Sequence, residues 1–216
     1  MVTLYDYWRS SAAYRVRIAL NLAGIAYRSV PVDLLQDEQQ SPENLARNPQ
    51  GLVPTLEIDG LVLTQSVAIL EYLNDSGQAS FLPPRAADKA RCRALAYAVA
   101  MEIAPVCNLS VRRYAAGISG GTVSADDWQL RFMTKGLLAV EAMLDHPATG
   151  RFCHGELVTL PDICLVPQVY NARRAGVDLT QMPRLSAVVG ALEALPRLAA
   201  AHPDRVRPPK PVRPAG

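Results

Sequence analysis

The sequence is poor in the residues that bind metals or cross-link a chain. Its 216 residues include only four cysteines and three histidines. The cysteines stand far apart with no CxxC pair, and the histidines show no ligand spacing. We therefore expect no metal site and no disulfide framework, and this cysteine usage favours a reducing compartment.

Long hydrophobic runs and a strong net charge are also missing. No stretch of about 18 apolar residues occurs, and no basic residues precede the apolar start of the chain, so we expect no membrane span, no leader and a cytoplasmic protein. The net charge is +2, but residues 203–216 hold four basic residues against one acid. The remainder is slightly acidic, so we expect neither nucleic acid nor a membrane as a partner.

The first part of the chain alternates between strand and helix patterns. Residues 2–7 and 27–34 are strand-like, whereas residues 10–24 place apolar side chains at helical spacing and end at Gly24. This order predicts a parallel pair of strands joined by a right-handed crossover.

A hairpin and a helix follow. Residues 52–66 contain two β-rich runs around Asp59-Gly60, a pair favoured in a type I′ turn. Ser66 is a candidate N-cap of the next helix, which ends near Gly77. With a helix in the polar stretch after Pro42, the order is βαβαββα. This order predicts a thioredoxin-like domain over residues 1–81.

The rest of the chain has helical periods and no convincing strand. Residues 82–90 break every periodicity and are predicted to be a linker, and residues 91–202 are predicted to form an all-helical domain. Pro105 is expected to interrupt the helical run 88–115. Residues 203–216 are rich in proline and are predicted to be a flexible tail.

Two short patterns in this second part are explained by folding alone. Ser124 with Asp127, and Thr159 with Asp162, have the spacing of a capping box at the start of a helix. We therefore assign these four residues to helix initiation and to no chemistry. Cys107 is interpreted as a small packed hydrophobe, because buried cysteines usually are.

Several longer motifs together carry a family resemblance. They are "YDYWRSSAAYRVRIALNLAGI", "NPQGLVPTLEIDG", "LTQSVAILEYL", "APVCNLSVRRY" and "TLPDICLVPQVYNARRAGVDLTQMP". Over nearly its whole length the chain resembles the zeta-class glutathione transferases. The resemblance implies the cytosolic glutathione transferase fold, α/β followed by all-α, glutathione as cofactor and a homodimer. One departure is Ala12, where the class typically has cysteine.

Ser10 and Ser11 lie where a helix begins, and two interpretations compete there. A serine before a helix is commonly only an N-cap. The resemblance implies instead that Ser10 activates the glutathione thiol, with Ser11 in support. Lowering a thiol pKa from about 8.5 by about two units takes about 2.7 kcal/mol. A hydroxyl donor contributes about 1.5–3 kcal/mol and a helix N-terminus about 0.3–1 kcal/mol, so the two suffice.

The resemblance also assigns residues that bind the glutathione backbone and its γ-glutamyl carboxylate. It implies a cis bond between Val53 and Pro54 that turns the strand edge toward the ligand peptide. Ser66 would bind the carboxylate at a helix N-terminus. The full set of glutathione-binding candidates is Gln50, Val53, Pro54, Gln65, Ser66 and Asn108.

The substrate side is expected to hold cations. Addition of a thiolate to a cis double bond conjugated to a carbonyl allows that bond to rotate before the thiolate leaves. Maleyl substrates carry carboxylates, which guanidinium groups bind well. The resemblance implies Arg9 and Arg174 as substrate-binding residues, with Arg173 as a neighbouring candidate. Without the resemblance, Arg173 and Arg174 would be interpreted as cations that stabilise the last turn of a helix.

Four functions are consistent with the sequence. The first is glutathione-dependent isomerisation of maleylacetoacetate in tyrosine and phenylalanine degradation. The second is the same chemistry on maleylpyruvate, and the third is conjugation of electrophiles or turnover of α-haloacids. A non-catalytic adaptor of the same fold is less favoured, because the chain keeps the serine, the Val-Pro strand and the Gln-Ser helix start.

Overall fold

The computed structural model describes residues 1–208, and the chain divides into two compact units. Of the described residues, the first unit contains 1–66 and 197–208, and the second contains 67–196. The boundaries at residues 81 and 90 remain predictions from the sequence.

A four-stranded sheet forms the centre of the first unit. Its spatial order is β2-β1-β3-β4, in which β1 pairs parallel with β2 and all other pairs are antiparallel. Leu4 of β1 lies opposite Leu56 of β3, and both side chains are fully buried. The strands are β1 (Val2–Asp6), β2 (Tyr27–Pro31), β3 (Thr55–Ile58) and β4 (Leu61–Thr64).

The predicted turns of this unit are present. Helix α1 (Ser11–Ala23) ends at Gly24, whose positive φ of 72° makes the left-handed cap. Asp59 and Gly60 both have positive φ, as a type I′ turn requires. Helix α2 (Pro42–Arg47) also belongs to this unit. Helix α3 (Ser66–Asp75), of which all but Ser66 falls in the second unit, completes the βαβαββα order, and this order confirms the predicted fold.

Every regular element of the second unit is a helix, beginning with α3. The predicted interruption at Pro105 is real, because α4 passes into a π-helical segment at Ala98–Ile103 and helix resumes only at Leu109. Ser124 and Thr159 cap their helices as predicted. The remaining helices of this unit are α4 (Ala86–Tyr97), α5 (Leu109–Ile118), α6 (Ala125–Met143), α7 (Leu160–Arg174) and α8 (Pro183–Glu193).

The C-terminal segment contains two short helices. They are α9 (Pro196–Ala200) and α10 (Pro203–Val206). Helix α10 lies inside the tail that was predicted to be flexible, and it forms because the His202 side chain accepts from the Asp204 amide and Pro203 suits the first helical turn. Residues 209–216 of that tail lie outside the described residues. Across residues 1–208, no helix has both the length and the apolar character needed to cross a bilayer.

A buried arginine joins three parts of the first unit. Arg17 on α1 is only 1% exposed, and it forms an ion pair of 2.8 Å with Asp6 at the end of β1. It also donates to the carbonyl oxygens of Trp8 at 2.8 Å and Ala201 at 3.2 Å. Burial raises the pKa of Asp6 and Arg17 opposes that rise. The loop after β1 and the C-terminal segment are therefore fixed by one side chain.

We expect Arg17→Ala to lower the free energy of unfolding by about 3–5 kcal/mol, because it leaves the Asp6 carboxylate buried without its cation. Urea unfolding followed by circular dichroism measures the change. Arg28→Ala is the matched control, since Arg28 is exposed on β2. Its effect should stay within about 0.5 kcal/mol. Equal losses in the two variants would contradict a special role for the buried ion pair.

Candidate active site

A tight turn places Ser10 at the entrance of α1. Strand β1 ends at Asp6, and the Ser10 amide donates to the Tyr7 carbonyl oxygen at 2.8 Å, so the chain reverses within four residues. The Trp8 carbonyl inside this turn accepts a hydrogen bond from buried Arg17, which is a second contact that fixes the turn. The position of Ser10 is thus set by hydrogen bonds on both sides of it.

Ser10 is the N-cap of α1, and this role leaves its hydrogen free to donate. Its Oγ accepts from the Ala13 amide at 3.2 Å, which uses the hydroxyl as an acceptor only. The first amides of the helix, those of Ser11 and Ala12 among them, have no partner inside the helix. The capping role and an anion-binding role of Ser10 are therefore compatible.

The Val53-Pro54 peptide bond is cis, as the resemblance implied. Val53 packs with Tyr7 and Val32 in a small buried cluster beside the turn. Within residues 1–208, no backbone hydrogen bond uses the amide or carbonyl of Val53. Both groups remain available to pair with an extended peptide.

Gln50 and Gln65 are brought together at the start of α3. The Gln65 side-chain nitrogen donates to the Gln50 side-chain oxygen at 2.8 Å. Gln65 has a φ of 65°, a left-handed conformation that is uncommon for a residue with a side chain and concentrates at binding sites. The next residue, Ser66, is the first of α3 and is buried. These three side chains surround one helix N-terminus.

Arg15 is a member of this site that the sequence did not reveal. It is only 2% exposed, and its guanidinium donates to Ser66 Oγ at 3.1 Å. A buried cation behind a helix N-terminus increases the attraction of that end for an anion. The sequence shows Arg15 only as a charged residue inside the apolar helix pattern of residues 10–24. Such a residue on its own indicates a surface position.

Arg9 lies over the aromatic pair that precedes it. Its guanidinium donates to the Tyr7 hydroxyl at 3.1 Å and its Cζ lies 4.9 Å from the centre of the Trp8 ring. Tyr7 is buried and Trp8 is half-buried, so packing restricts both rings, and their faces attract the guanidinium cation. Arg9 is thus held next to Ser10 in the turn.

In the second unit, the two candidate arginines at the end of α7 differ in their surroundings. Arg173 is bound by Glu193 of α8, so its charge is already compensated. Arg174 stacks on Tyr170, with 5.7 Å from Cζ to the ring centre, and has no carboxylate partner within residues 67–196. This contrast favours Arg174 over Arg173 as a group that receives an anion.

Asn108 and Cys107 lie at the break after Pro105. Asn108 is the N-cap of α5, and its side chain accepts from the Ser110 amide at 3.3 Å. Asn108 therefore begins a new helix after the interruption at Pro105. Burial raises the pKa of Cys107 to about 11, which keeps the thiol protonated and unreactive at neutral pH. Its interpretation as a packing residue agrees with this environment.

The comparisons with known proteins agree with this geometry. Residues 1–75 match the model of the glutathione S-transferase N-terminal domain. The chain is 58% identical to the maleylacetoacetate isomerase of Rhizobium meliloti (strain 1021), over 95% of this chain and 97% of that protein. The chain is a zeta-class glutathione transferase. It is also 41% identical to the maleylacetoacetate isomerase of Rattus norvegicus, over 94% of this chain and 92% of that one.

Solved zeta-class structures have the same fold. A bacterial zeta-class maleylpyruvate isomerase in its holo form superposes with a TM-score of 0.90 at 38% identity, covering 94% of this chain and 97% of that chain. A maleylacetoacetate isomerase from Anaeromyxobacter dehalogenans 2CP-1, with bound dicarboxyethyl glutathione and citrate in its active site, superposes at 0.85 and 44% identity. That match covers 97% of this chain and 98% of the other.

Within residues 1–208, no group of three or more histidine, cysteine, aspartate or glutamate side chains could hold a metal ion. All four cysteines are free and buried, and all four lie in the second unit. Ala12, the second residue of α1, leaves the zeta-class position for cysteine without a sulfur. The first turn of α1 therefore presents hydroxyl and amide groups alone.

Proposed function

We propose that this zeta-class transferase is a glutathione-dependent cis–trans isomerase that converts maleylacetoacetate to fumarylacetoacetate. The observation that carries the proposal is the Ser10 hydroxyl at the open N-terminus of α1, in a chain 58% identical to a maleylacetoacetate isomerase. Relatives of this class have been crystallised with glutathione in the active site. The proposed pathway is the degradation of tyrosine and phenylalanine.

The residues of the first unit fit glutathione in three places. The start of α3, with Ser66 above buried Arg15, suits a carboxylate, and Gln65 and Gln50 lie beside it. Val53, next to Pro54, offers an amide and a carbonyl to an extended peptide. The N-terminus of α1 suits a sulfur anion. Glutathione, when bound, supplies a thiolate that adds reversibly to the double bond of the substrate so that rotation can occur.

The protein's own contribution is to stabilise negative charge. Ser10 has a hydrogen to donate while its oxygen is fixed by the Ala13 amide. Ser11 supplies a further first-turn donor. Because these donors are already oriented in the folded protein, little reorganisation is needed when the charge forms.

Two arginines are proposed to bind the carboxylates and the developing enolate charge of the substrate. Arg9 is held over Tyr7 and Trp8 next to Ser10. Arg174 is stacked on Tyr170 and is the preferred candidate on α7. Arg173 is less favoured because Glu193 already binds it.

Maleylpyruvate is the second candidate substrate, favoured by one observation. The holo maleylpyruvate isomerase superposes with a TM-score of 0.90. Its substrate presents the same cis double bond beside a carboxylate, so the same residues would serve. Conjugation of other electrophiles remains a third proposal for the same site.

The assembly and location of the protein are also proposals. We infer a homodimer from the family resemblance, in which Asn108 would reach glutathione across the interface. A cytoplasmic location is supported by the four free, buried cysteines, since a reducing compartment keeps thiols in that form.

The decisive assay follows the absorbance of maleylacetoacetate with and without glutathione, and of maleylpyruvate in parallel. The wild type should isomerise maleylacetoacetate only when glutathione is present. Ser10→Ala should reduce kcat about ten- to a hundredfold, because one hydrogen bond to a charged group is worth about 1.5–3 kcal/mol. The dissociation constant of glutathione should change little, since Val53, Gln65 and Ser66 remain.

Ser41→Ala is the matched control for Ser10→Ala, because Ser41 is likewise an N-cap, that of α2, and accepts from the Asn44 amide at 3.2 Å. It should lose stability but keep kcat. Isomerisation by the wild type without glutathione would contradict the proposed mechanism. Full activity in Ser10→Ala would contradict the role of its hydroxyl.

Substitution of the two arginines at the end of α7 should have different effects on the KM for maleylacetoacetate. Arg174→Ala is expected to raise KM for maleylacetoacetate about ten- to a hundredfold, because a guanidinium–carboxylate interaction is worth about 1.5–3 kcal/mol. Arg173→Ala should raise KM much less. Steady-state kinetics at saturating glutathione measures both. A larger effect from Arg173→Ala would reverse the assignment.

A further inference from the structure

The C-terminal segment brings a second arginine to the turn before Ser10. Arg207 follows α10 directly, and its Cζ lies 4.9 Å from the centre of the Trp8 ring. The Arg9 Cζ lies at the same distance from the same ring. The two guanidinium groups are therefore no more than about 10 Å apart.

Neither cation has an acidic partner. Within residues 1–208, no carboxylate lies at ion-pair distance from Arg9 or Arg207. The acids nearest to them in sequence are engaged elsewhere, since Asp6 binds Arg17 and Asp204 lies beside the His202 ring at 3.7 Å. Two guanidinium groups over one aromatic ring, neither paired with a carboxylate, attract an anion more strongly than either would alone.

The segment that carries Arg207 is anchored to the body of the first unit. Arg197 donates to the Leu22 carbonyl at 2.7 Å, and the Ala201 carbonyl accepts from buried Arg17. The His202 ring meets Tyr14 edge-on at 6.1 Å. These contacts fix the segment as far as His202, five residues before Arg207.

We propose that Arg207 is a further substrate-binding residue, which together with Arg9 and their shared Trp8 ring forms a site for a dicarboxylate. The proposal rests on the proposed function, because a maleyl ketoacid carries a carboxylate at each end. A guanidinium group binds a carboxylate through two parallel hydrogen bonds. Arg207 is exposed and Arg9 half-buried, so both remain accessible to an incoming anion.

The test measures selectivity for two carboxylates over one, using calorimetric titration of the full chain without glutathione. The probes are suberate, a saturated dicarboxylate with the chain length of maleylacetoacetate, and octanoate, the monocarboxylate of that length. The wild type should bind suberate more tightly than octanoate. Arg207→Gln should weaken suberate binding about tenfold and leave octanoate binding within about twofold.

Two further variants separate specific binding from general charge. Arg205→Gln is the matched control, because Arg205 is exposed on α10 and the substitution removes one positive charge two residues from Arg207. It should bind both ligands like the wild type. Arg207→Lys should recover part of the suberate affinity, because it keeps the charge without the planar fork.

Kinetics provides the second measurement. Arg207→Gln should raise KM for maleylacetoacetate about tenfold with kcat within about twofold. The inference is overturned if the wild type binds the two ligands equally, or if Arg207→Gln and Arg205→Gln behave alike. If the wild type fails to isomerise maleylacetoacetate but its suberate selectivity depends on Arg207, the dicarboxylate site stands and only the proposed function fails.

Discussion

The open N-terminus of α1, with the Ser10 hydroxyl at its edge, is the feature on which the proposed chemistry depends. A helix leaves its first amides without internal partners, and here the cap uses only the acceptor side of the serine. The same end of the helix follows a turn that is fixed by the Tyr7 carbonyl and by buried Arg17. In the proposed mechanism, a sulfur anion facing this end meets donors that are already in place.

Two buried arginines on helix α1 connect it to other elements of the first unit. Arg15 donates to Ser66 at the start of α3, so a buried cation lies next to the second helix N-terminus that is proposed to bind an anion. Arg17 joins β1, the turn and the Ala201 carbonyl of the C-terminal segment. One helix thus connects the sites assigned to the thiol and to the γ-glutamyl carboxylate with the segment that carries Arg207. Charge buried in this way is costly unless every group is paired, which explains the dense hydrogen bonding around Arg17.

Local signals in the sequence predicted most of the fold, and long-range contacts account for what they missed. The Asp59-Gly60 turn, the cap at Gly24 and the break at Pro105 each depend on a few neighbouring residues, and all three are present. Arg15 and Arg17 could not be identified, because a charged residue in a helix pattern ordinarily faces water, and because Ser66 and Ala201, which they bind, lie far along the chain. Composition predicted a flexible tail, whereas residues 203–206 are helical and Arg207 stacks on Trp8.

The most direct test of the central claim is the pKa of the glutathione thiol in the complex, followed by the ultraviolet absorbance of the thiolate as pH is varied. The wild type should hold this pKa about two units below the ordinary thiol value of about 8.5. In Ser10→Ala the thiol pKa should rise most of the way back to the ordinary value, while in Ser11→Ala it should stay close to the lowered value of the wild type. The same depressed pKa in the wild type and in Ser10→Ala would contradict the account, because the hydroxyl would then contribute nothing to the charge on sulfur.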